Sequence, residues 1–256
     1  INDLPPIEDY KGCKCKLNDT ISMYINSDLK ASFSYDRKKI LQNPWHYIFG
    51  KPENALNITL NNKGDGIFYS EVKLEPFPEN YMYRFLIETS DIYPVKDPRS
   101  KFQPFDTDGW SQIIDHNTFH WTDSFWKNHY KRARHSDPYN NLIICELNIG
   151  TFTKEGTFNS AIKKLDQIAA EGIYNAIQIL PVNEFYGHRN WGYDGIDWYA
   201  VENTYCKSNP SSKTEKSHPN KLKELINRAH ELELNVIMDV VYNHYGPFYN
   251  QFTEIL

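Results

Sequence analysis

Asp239, Tyr242, Asn243 and His244 follow directly on an apolar run, Val236-Ile237-Met238, in the segment NVIMDVVYNH. A carboxylate, a phenol, an amide and an imidazole this close together can hold a hydroxylated ligand from several sides. His244 could donate a hydrogen bond, act as general acid or base, or ligate a metal. A second group is Asn190-Trp191-Gly192-Tyr193-Asp194-Gly195. Glycines on both sides of Tyr193-Asp194 permit a tight backbone path. Trp191 and Tyr193 offer flat faces, and Asn190 and Asp194 offer planar polar tips. Sugars present C–H faces edged with hydroxyls, which such a set suits. The same aromatics could instead only fill space under a long loop.

The elements that must position these groups change character along the chain. Up to about residue 137 the runs are short, aromatic-rich and alternating: 21–25, 56–60, 66–74 and 81–88 read as strands. Turn signals such as Asn61-Asn62-Lys63-Gly64-Asp65-Gly66 separate them, and strands at this spacing argue for a β-sandwich. From residue 138 strand and helix alternate. Leu142 to Ile149 reads as a strand covered on both faces. Phe158, Ile162, Leu165, Ile168 and Ala169 share a helical face that Gly172 ends. Ala176 to Val182 is a second strand. Leu222, Leu225, Ile226, Ala229 and Leu232 mark a second helix, and Asn235 to Val241 a third strand. Such alternation implies a parallel sheet with right-handed crossovers, whose carboxyl ends are where ligands sit. Between strand two and its helix, the connection from Asn183 to about Asn220 is unusually long. Its first half reads as a functional loop and its second as a solvated excursion.

Composition excludes several function classes. The 256 residues carry a net charge of -5, so nucleic acid and anionic membranes are poor partner choices. No apolar run approaches the roughly 18 residues of a membrane span. The first residues, INDLPPIEDY, lack the features of a signal peptide. Cys13 and Cys15 are too close for an ordinary disulfide, and Cys145 reads as a small core residue, so the chain is expected to be reduced and cytoplasmic. No HxxxH or CxxC pattern accompanies His244, and neither a phosphate loop, a Rossmann fingerprint nor a Ser-His-Asp set is present. No cofactor and no metal are expected. Glu146 and Glu184, also near strand ends, read as supporting residues.

At these residues a family resemblance emerges. Asp239-Val240-Val241-Tyr242-Asn243-His244 resembles the first conserved region of the α-amylase superfamily of glycoside hydrolases (family 13). Glu146-Leu147-Asn148-Ile149-Gly150-Thr151-Phe152-Thr153 and Glu155-Gly156-Thr157-Phe158 resemble the first barrel strand and following loop of the glycogen branching enzyme and maltooligosyltrehalose trehalohydrolase subgroup. Leu180-Pro181-Val182 resembles the second strand, and Asn190 to Gly195 the sugar-binding loop after it. Asp97-Pro98-Arg99-Ser100-Lys101-Phe102-Gln103-Pro104 is more similar to the trehalohydrolases than to most branching enzymes, while Trp121-Thr122-Asp123 matches both loosely. Two positions depart from the pattern: Cys206-Lys207-Ser208 replaces a Gly-Gly-Pro turn, and Glu233 stands where a Gly often precedes the third strand.

The resemblance implies a multidomain chain. Residues 1–137 would be an early-set or carbohydrate-binding-module-like β-sandwich. Residues 138–256 would be the first three βα units of an incomplete (β/α)8 TIM barrel. It implies an enzyme acting on α-1,4-glucosidic bonds, either a 1,4-α-glucan branching enzyme or a trehalohydrolase. Tyr193 would stack on a glucose, His244 would hydrogen-bond it and Asp239 would brace the floor. Trp191, Asn190, Asp194 and Asn243 would complete the substrate-binding set. The Asn matching Asn243 binds calcium in many α-amylases, but this subgroup generally manages without it. The partner would be an α-1,4-glucan or maltooligosaccharide, and the remaining barrel half or self-association would cover the open barrel edge. An alternative from another class is a non-catalytic glucan-binding or regulatory protein using Trp45, Trp110, Trp121 or Trp126.

Retaining glycosidases need two carboxyl groups about 5–5.5 Å apart. By the resemblance, the nucleophilic Asp and the acid/base Glu follow the fourth and fifth strands. Residues 142–256 are fewer than half of the about 250 that a complete barrel takes. Both carboxylates are therefore expected beyond Leu256, leaving no catalytic residue within the chain. The purified 256 residues are expected to leave amylose and maltooligosyltrehalose intact. Release of reducing ends or trehalose would overturn that expectation.

Overall fold

The aromatic and β-branched runs of the first half pair as antiparallel strands. The computed structural model describes residues 20–26, 56–64, 67–69, 82–88, 92–107, 110–126, 141–207 and 218–247. Strands β1 (Thr20–Asn26), β2 (Leu56–Thr59), β5 (Met82–Glu88), β6 (Ile92–Val95) and β8 (Ser111–Gln112) form a five-stranded sheet. Its order is β2-β1-β5-β6, with β8 also on β5. β3 (Asn61–Gly64) and β4 (Ile67–Tyr69) make a separate hairpin, and β7 (Pro104–Thr107) follows β6 in the chain. All pairings described in this half are antiparallel. Arg84 is fully buried there with its guanidinium 4.4 Å from the centre of the Trp110 ring, a cation–π contact that consumes both side chains. Trp110, at 5% exposure, is a core residue and offers no glucan platform. Trp45 and the pair Cys13 and Cys15 lie outside the described residues.

The second half is built on three parallel strands, β9 (Ile144–Leu147), β10 (Ala176–Ile179) and β13 (Asn235–Met238), in the order β13-β10-β9. Alternation decides which face is covered. Leu147, Ile177 and Ile179 enter the core, with Cys145, Val236 and Met238 partly buried against it. That face packs on helices α2 (Phe158–Glu171) and α3 (Asn220–Glu231), which follow the short α1 (Ile149–Phe152). α2 ends at the glycine its sequence promises, and its start carries a cap that the sequence reading did not use. Thr157 and Ser160 close a capping box at its start, and Gly172 ends it in the left-handed region at φ 65. Its face of Phe158, Ala161, Leu165 and Ile168 meets Leu225 and Ala229 of α3 in the core, and Arg228 bridges the helices by pairing with Asp166.

Three expectations are corrected. β9 is covered on one face only, with Ile144 at 41% exposure and Glu146 exposed. The second strand ends at Ile179 rather than Val182. The third ends at Met238 rather than Val241, so Asp239 to His244 belong to the loop beyond the strand. The long connection also contains structure: β11 (Asn183–Phe185) and β12 (Gly195–Val201) form an antiparallel hairpin. Residues 208–217 of its second half lie outside the described residues.

Long-range polar contacts join the halves. Lys96 and Asp197, both buried, are 2.7 Å apart, so the end of β6 is pinned to β12. Burial pushes the Asp197 carboxyl above the ordinary carboxylate value, against the pull of the Lys96 ammonium. Against α3, Thr122 accepts from Asn227 Nδ2 at 2.7 Å and donates to Glu231 at 2.7 Å, and Asp123 meets His230 at 2.6 Å. Trp126 stacks on the same His230 ring.

The departure at Glu233 has a physical reading. It has φ 60, a left-handed conformation that crowds Cβ in any residue but glycine. Glycine removes that crowding but also enlarges the unfolded ensemble. Glu233→Gly is therefore expected to raise stability by about 0.5–1 kcal/mol. Urea denaturation would check it, and a loss of stability would contradict the strain assignment.

Candidate functional site

The register of the parallel strands places Leu147, Ile179 and Met238 side by side at the carboxyl end of the sheet. Two further ladder bonds, Leu180 N–H to Leu147 O at 3.0 Å and Asp239 N–H to Ile179 O at 2.9 Å, carry the order past the strand ends. Asp239 is thereby fixed above β10. The loop from Tyr186 to Asp194 comes over it. Gly192 makes that path possible: at φ 94, a Cβ there would sit 1.9 Å from the Pro181 carbonyl oxygen. A Cβ on Gly246 would meet the Asp194 carbonyl at 2.3 Å, and Gly246 N–H bonds to Gly195 O. The two loops touch through backbone, and only glycine permits it at these points.

The contact brings most of the expected residues together. Tyr193 Oη donates to Asp239 Oδ2 at 2.6 Å. His244 Nε2 lies 2.8 Å from the Tyr193 carbonyl oxygen and its Nδ1 lies 3.1 Å from Asn243 Oδ1. Asn190 holds the turn twice, accepting from Gly192 N–H at 2.8 Å and donating to Asp194 at 3.1 Å. Beside that pair is a cavity of about 170 Å³, lined by Tyr186, Asn190, Asp194, Ile196, Gly246 and Pro247. Trp191 stands apart at 71% exposure, with no hydrogen bond or ring contact among the described residues. Tyr193 is 37% exposed, so its ring keeps an open face while its hydroxyl is held.

Of the two supporting glutamates, Glu184 is fully buried and accepts from the backbone and side-chain nitrogens of Asn203 at 2.8 and 2.6 Å. It fixes the hairpin. Glu146 is exposed on the open face of the sheet and accepts from Gln178 at 3.1 Å. Sequence reasoning passed over Trp198. Tyr245 stacks on it at 4.2 Å and Tyr242 meets it edge-on, so β12 carries the segment that holds His244. The alternation Ile196, Trp198, Ala200 was the available signal for a strand there. Among the described residues no group of three or more His, Cys, Asp or Glu side chains is placed to hold a metal ion.

The geometry is that of a loop-built floor at the carboxyl end of parallel strands, and a known family has it. The alpha-amylase catalytic domain model matches residues 92–256. The chain belongs to the α-amylase family. Its sequence is 38% identical over 187 residues to a malto-oligosyltrehalose trehalohydrolase of Saccharolobus solfataricus, covering 73% of this chain and 29% of that protein. It is 26% identical over 174 residues to the 1,4-alpha-glucan branching enzyme GlgB of Geobacillus stearothermophilus, covering 65% of this chain and 25% of that one. Among solved structures, a candidate alpha amylase of Salmonella typhimurium superposes with a TM-score of 0.64 at 32% identity, covering 78% of this chain and 30% of that chain. A Group B Streptococcus pullulanase superposes with a TM-score of 0.63 over 95% of this chain and 32% of its own, and at 17% identity it shares the fold alone. The chain spans 24% to 29% of the length of the curated relatives it matches. In this α-amylase-family chain, β9, β10 and β13 with α2 and α3 are part of an amylase-like (β/α)8 barrel.

The Tyr193–Asp239 bond has a measurable consequence. That hydrogen bond, aided by slight burial and the charges of Asp239 and Glu146, raises the Tyr193 phenol above its ordinary value of 10.0. Each cause disfavours the phenolate, so Tyr193 should ionise at higher pH than an exposed tyrosine. Asp239→Asn should bring the transition back down. Carbon-13 NMR of the tyrosine Cζ, assigned with Tyr193→Phe, reads it directly. A Tyr193 transition unmoved by Asp239→Asn would exclude the bond.

Proposed function

We propose that this chain is part of a retaining α-glucan-active enzyme, and that it supplies one wall of a subsite for α-1,4-linked glucose. Tyr193 is the stacking platform. Asp239 holds the Tyr193 hydroxyl, His244 and Asn243 edge the sugar, and Asn190 and Asp194 shape the turn, with Trp191 reaching outward. The observation that carries the reading is the Tyr193–Asp239–His244 contact at the carboxyl end of an amylase-like barrel. Trehalohydrolysis is preferred to branching, because identity to the trehalohydrolase of S. solfataricus is 38% against 26% for the branching enzyme. The substrate would then be a maltooligosaccharide ending in trehalose.

The domain layout is part of the same proposal: residues 1–137 form a β-sandwich, and residues 138–256 open the barrel. The Lys96–Asp197 pair supports a sandwich built firmly against it. Further βα units or a second copy cover the exposed Ile144 face, and the protein works in the cytoplasm without a cofactor.

Fluorescence titration of the chain with maltooligosyltrehalose tests the site. Losing an aromatic platform removes about 0.5–1.5 kcal/mol beyond the area it buries. Tyr193→Ala is therefore expected to weaken binding about ten-fold, and His244→Ala by a similar factor. Binding that neither substitution changes would move recognition elsewhere, to the sandwich and the exposed Trp121.

A further inference from the structure

A larger cleft, of about 330 Å³, lies away from that wall and shares no lining residue with the cavity beside Asn190. Its rim is cationic. The turn Asp97-Pro98-Arg99-Ser100-Lys101 follows β6 and is fixed from inside. Ser100 N–H bonds to Asp97 O at 3.0 Å, Arg99 N–H bonds to Asp97 Oδ1 at 2.8 Å, and the buried Ser100 hydroxyl donates to Phe102 O. The turn therefore holds Arg99 and Lys101 outward on a rigid frame. Both reach over the exposed Tyr199 ring of β12: Lys101 Nζ is 4.6 Å and the Arg99 guanidinium 6.0 Å from its centre. Gln112 adds an amide, and Ile113, Ile114 and Tyr83 an apolar wall.

Among the described residues no carboxylate is ion-paired with Arg99 or Lys101. Asp97, the nearest acidic group in the turn, is engaged by the Tyr83 hydroxyl at 2.6 Å and by Arg99 N–H. Asp115 caps the turn at Asn117. Burial and then Arg99 hold Lys101 below the ordinary lysine value, with Asp97 opposing, and burial, Lys223 and Lys101 lower His116. Arg99 and Lys101 thus stand together on the rim of the cleft, without an ion pair among the described residues, where they can meet an anion.

We propose that this cleft binds a small phosphate-bearing molecule of monosaccharide size. Arg99 and Lys101 would share the dianion, the first through paired N–H donors and the second as a point charge. The sugar would lie on Ile113, Ile114 and Tyr83 with Gln112 at its hydroxyls, as C–H faces and polar edges require. The site stands independently of the glucan reading. It would let the amount of phosphorylated sugar bear on the Lys96–Asp197 junction, because Arg99 and Lys101 follow Lys96 on the same turn.

Isothermal titration of the chain with glucose 6-phosphate, inorganic phosphate and glucose decides it. Glucose 6-phosphate is expected to saturate one site, to bind more tightly than inorganic phosphate, and to weaken as salt rises. Arg99→Gln with Lys101→Gln should cut its affinity at least ten-fold. The charge-keeping pair Arg99→Lys with Lys101→Arg should retain most of it, and Lys163→Gln on α2 should change nothing. Glucose should give no heat that the double glutamine variant removes. The proposal fails if glucose 6-phosphate does not saturate, or if the glutamine pair and Lys163→Gln weaken it equally. Equal affinity for inorganic phosphate would overturn the sugar half of the assignment.

Discussion

The register of three parallel strands is the constraint on which the rest depends. Side chains alternate with period two, so a slip of one residue would turn Leu147, Ile177, Ile179 and Met238 away from the helices. The hydrophobic effect forbids that slip, at about 25 cal/mol for every Å² of apolar surface returned to water. The same register sets the level at which the chain leaves each strand. Asn148, Leu180 and Asp239 emerge at one height because Leu147, Ile179 and Met238 are aligned beneath them. Asp239 is thus where the core puts it, and Tyr193 is where Asp239 can be reached.

Above the strand ends the arrangement is made by contacts that do no recognition. Gly192 lets the loop cross the Pro181 carbonyl, Gly246 lets the following segment touch Asp194, and Trp198 receives Tyr245 face to face. Asn183 Nδ2 donates to the Trp198 carbonyl, tying the base of the hairpin across its two strands. These groups act on backbone and rings that face inward. The outward groups, Trp191 and the open side of Tyr193, remain exposed and are the ones the proposed subsite would use. Lys96 and Asp197 extend the chain of constraint to the N-terminal sheet, since Asp197 sits directly before Trp198. A change at the end of β6 is only one residue removed from the ring that supports His244's segment.

That division also decides how much the sequence reveals. Helix α2 was legible down to its glycine stop, because a terminal glycine and a 3.6-residue apolar stripe are local signals. The strands were legible as apolar runs, but their ends were not: Leu180-Pro181-Val182 and Val240-Val241 are as apolar as the strands they follow. The covering of β9 was misread for the same reason, since an apolar run does not say how many faces have neighbours. The β11–β12 hairpin was missed because the polar and aromatic density of residues 183–199 suggested a loop, although Ile196, Trp198 and Ala200 alternate. Arg84 on Trp110 and Lys96 on Asp197 were not legible at all. Each pairs residues far apart in sequence, and no local pattern marks a lysine that will be buried.

His244 shows how much the last step depends on geometry. The Tyr193 carbonyl can only accept, so His244 Nε2 carries a proton and donates to it. In a neutral ring Nδ1 is then an acceptor and needs the amide nitrogen of Asn243, with its oxygen and nitrogen exchanged. In an imidazolium Nδ1 donates to Asn243 Oδ1 as placed. In either state Nε2 locks the two loops together. A hydrogen bond between His244 and a sugar must therefore form at Nδ1, which accepts from a hydroxyl in the neutral ring and donates only in the imidazolium, with Asn243 turning aside, or must displace the Tyr193 carbonyl. The first route keeps the stacking platform in place and costs one exposed amide contact. The second would release the backbone beneath the stacking ring. In the proposed subsite recognition through Nδ1 is thus the cheaper path, and it would make Asn243 the residue whose rotation admits the sugar.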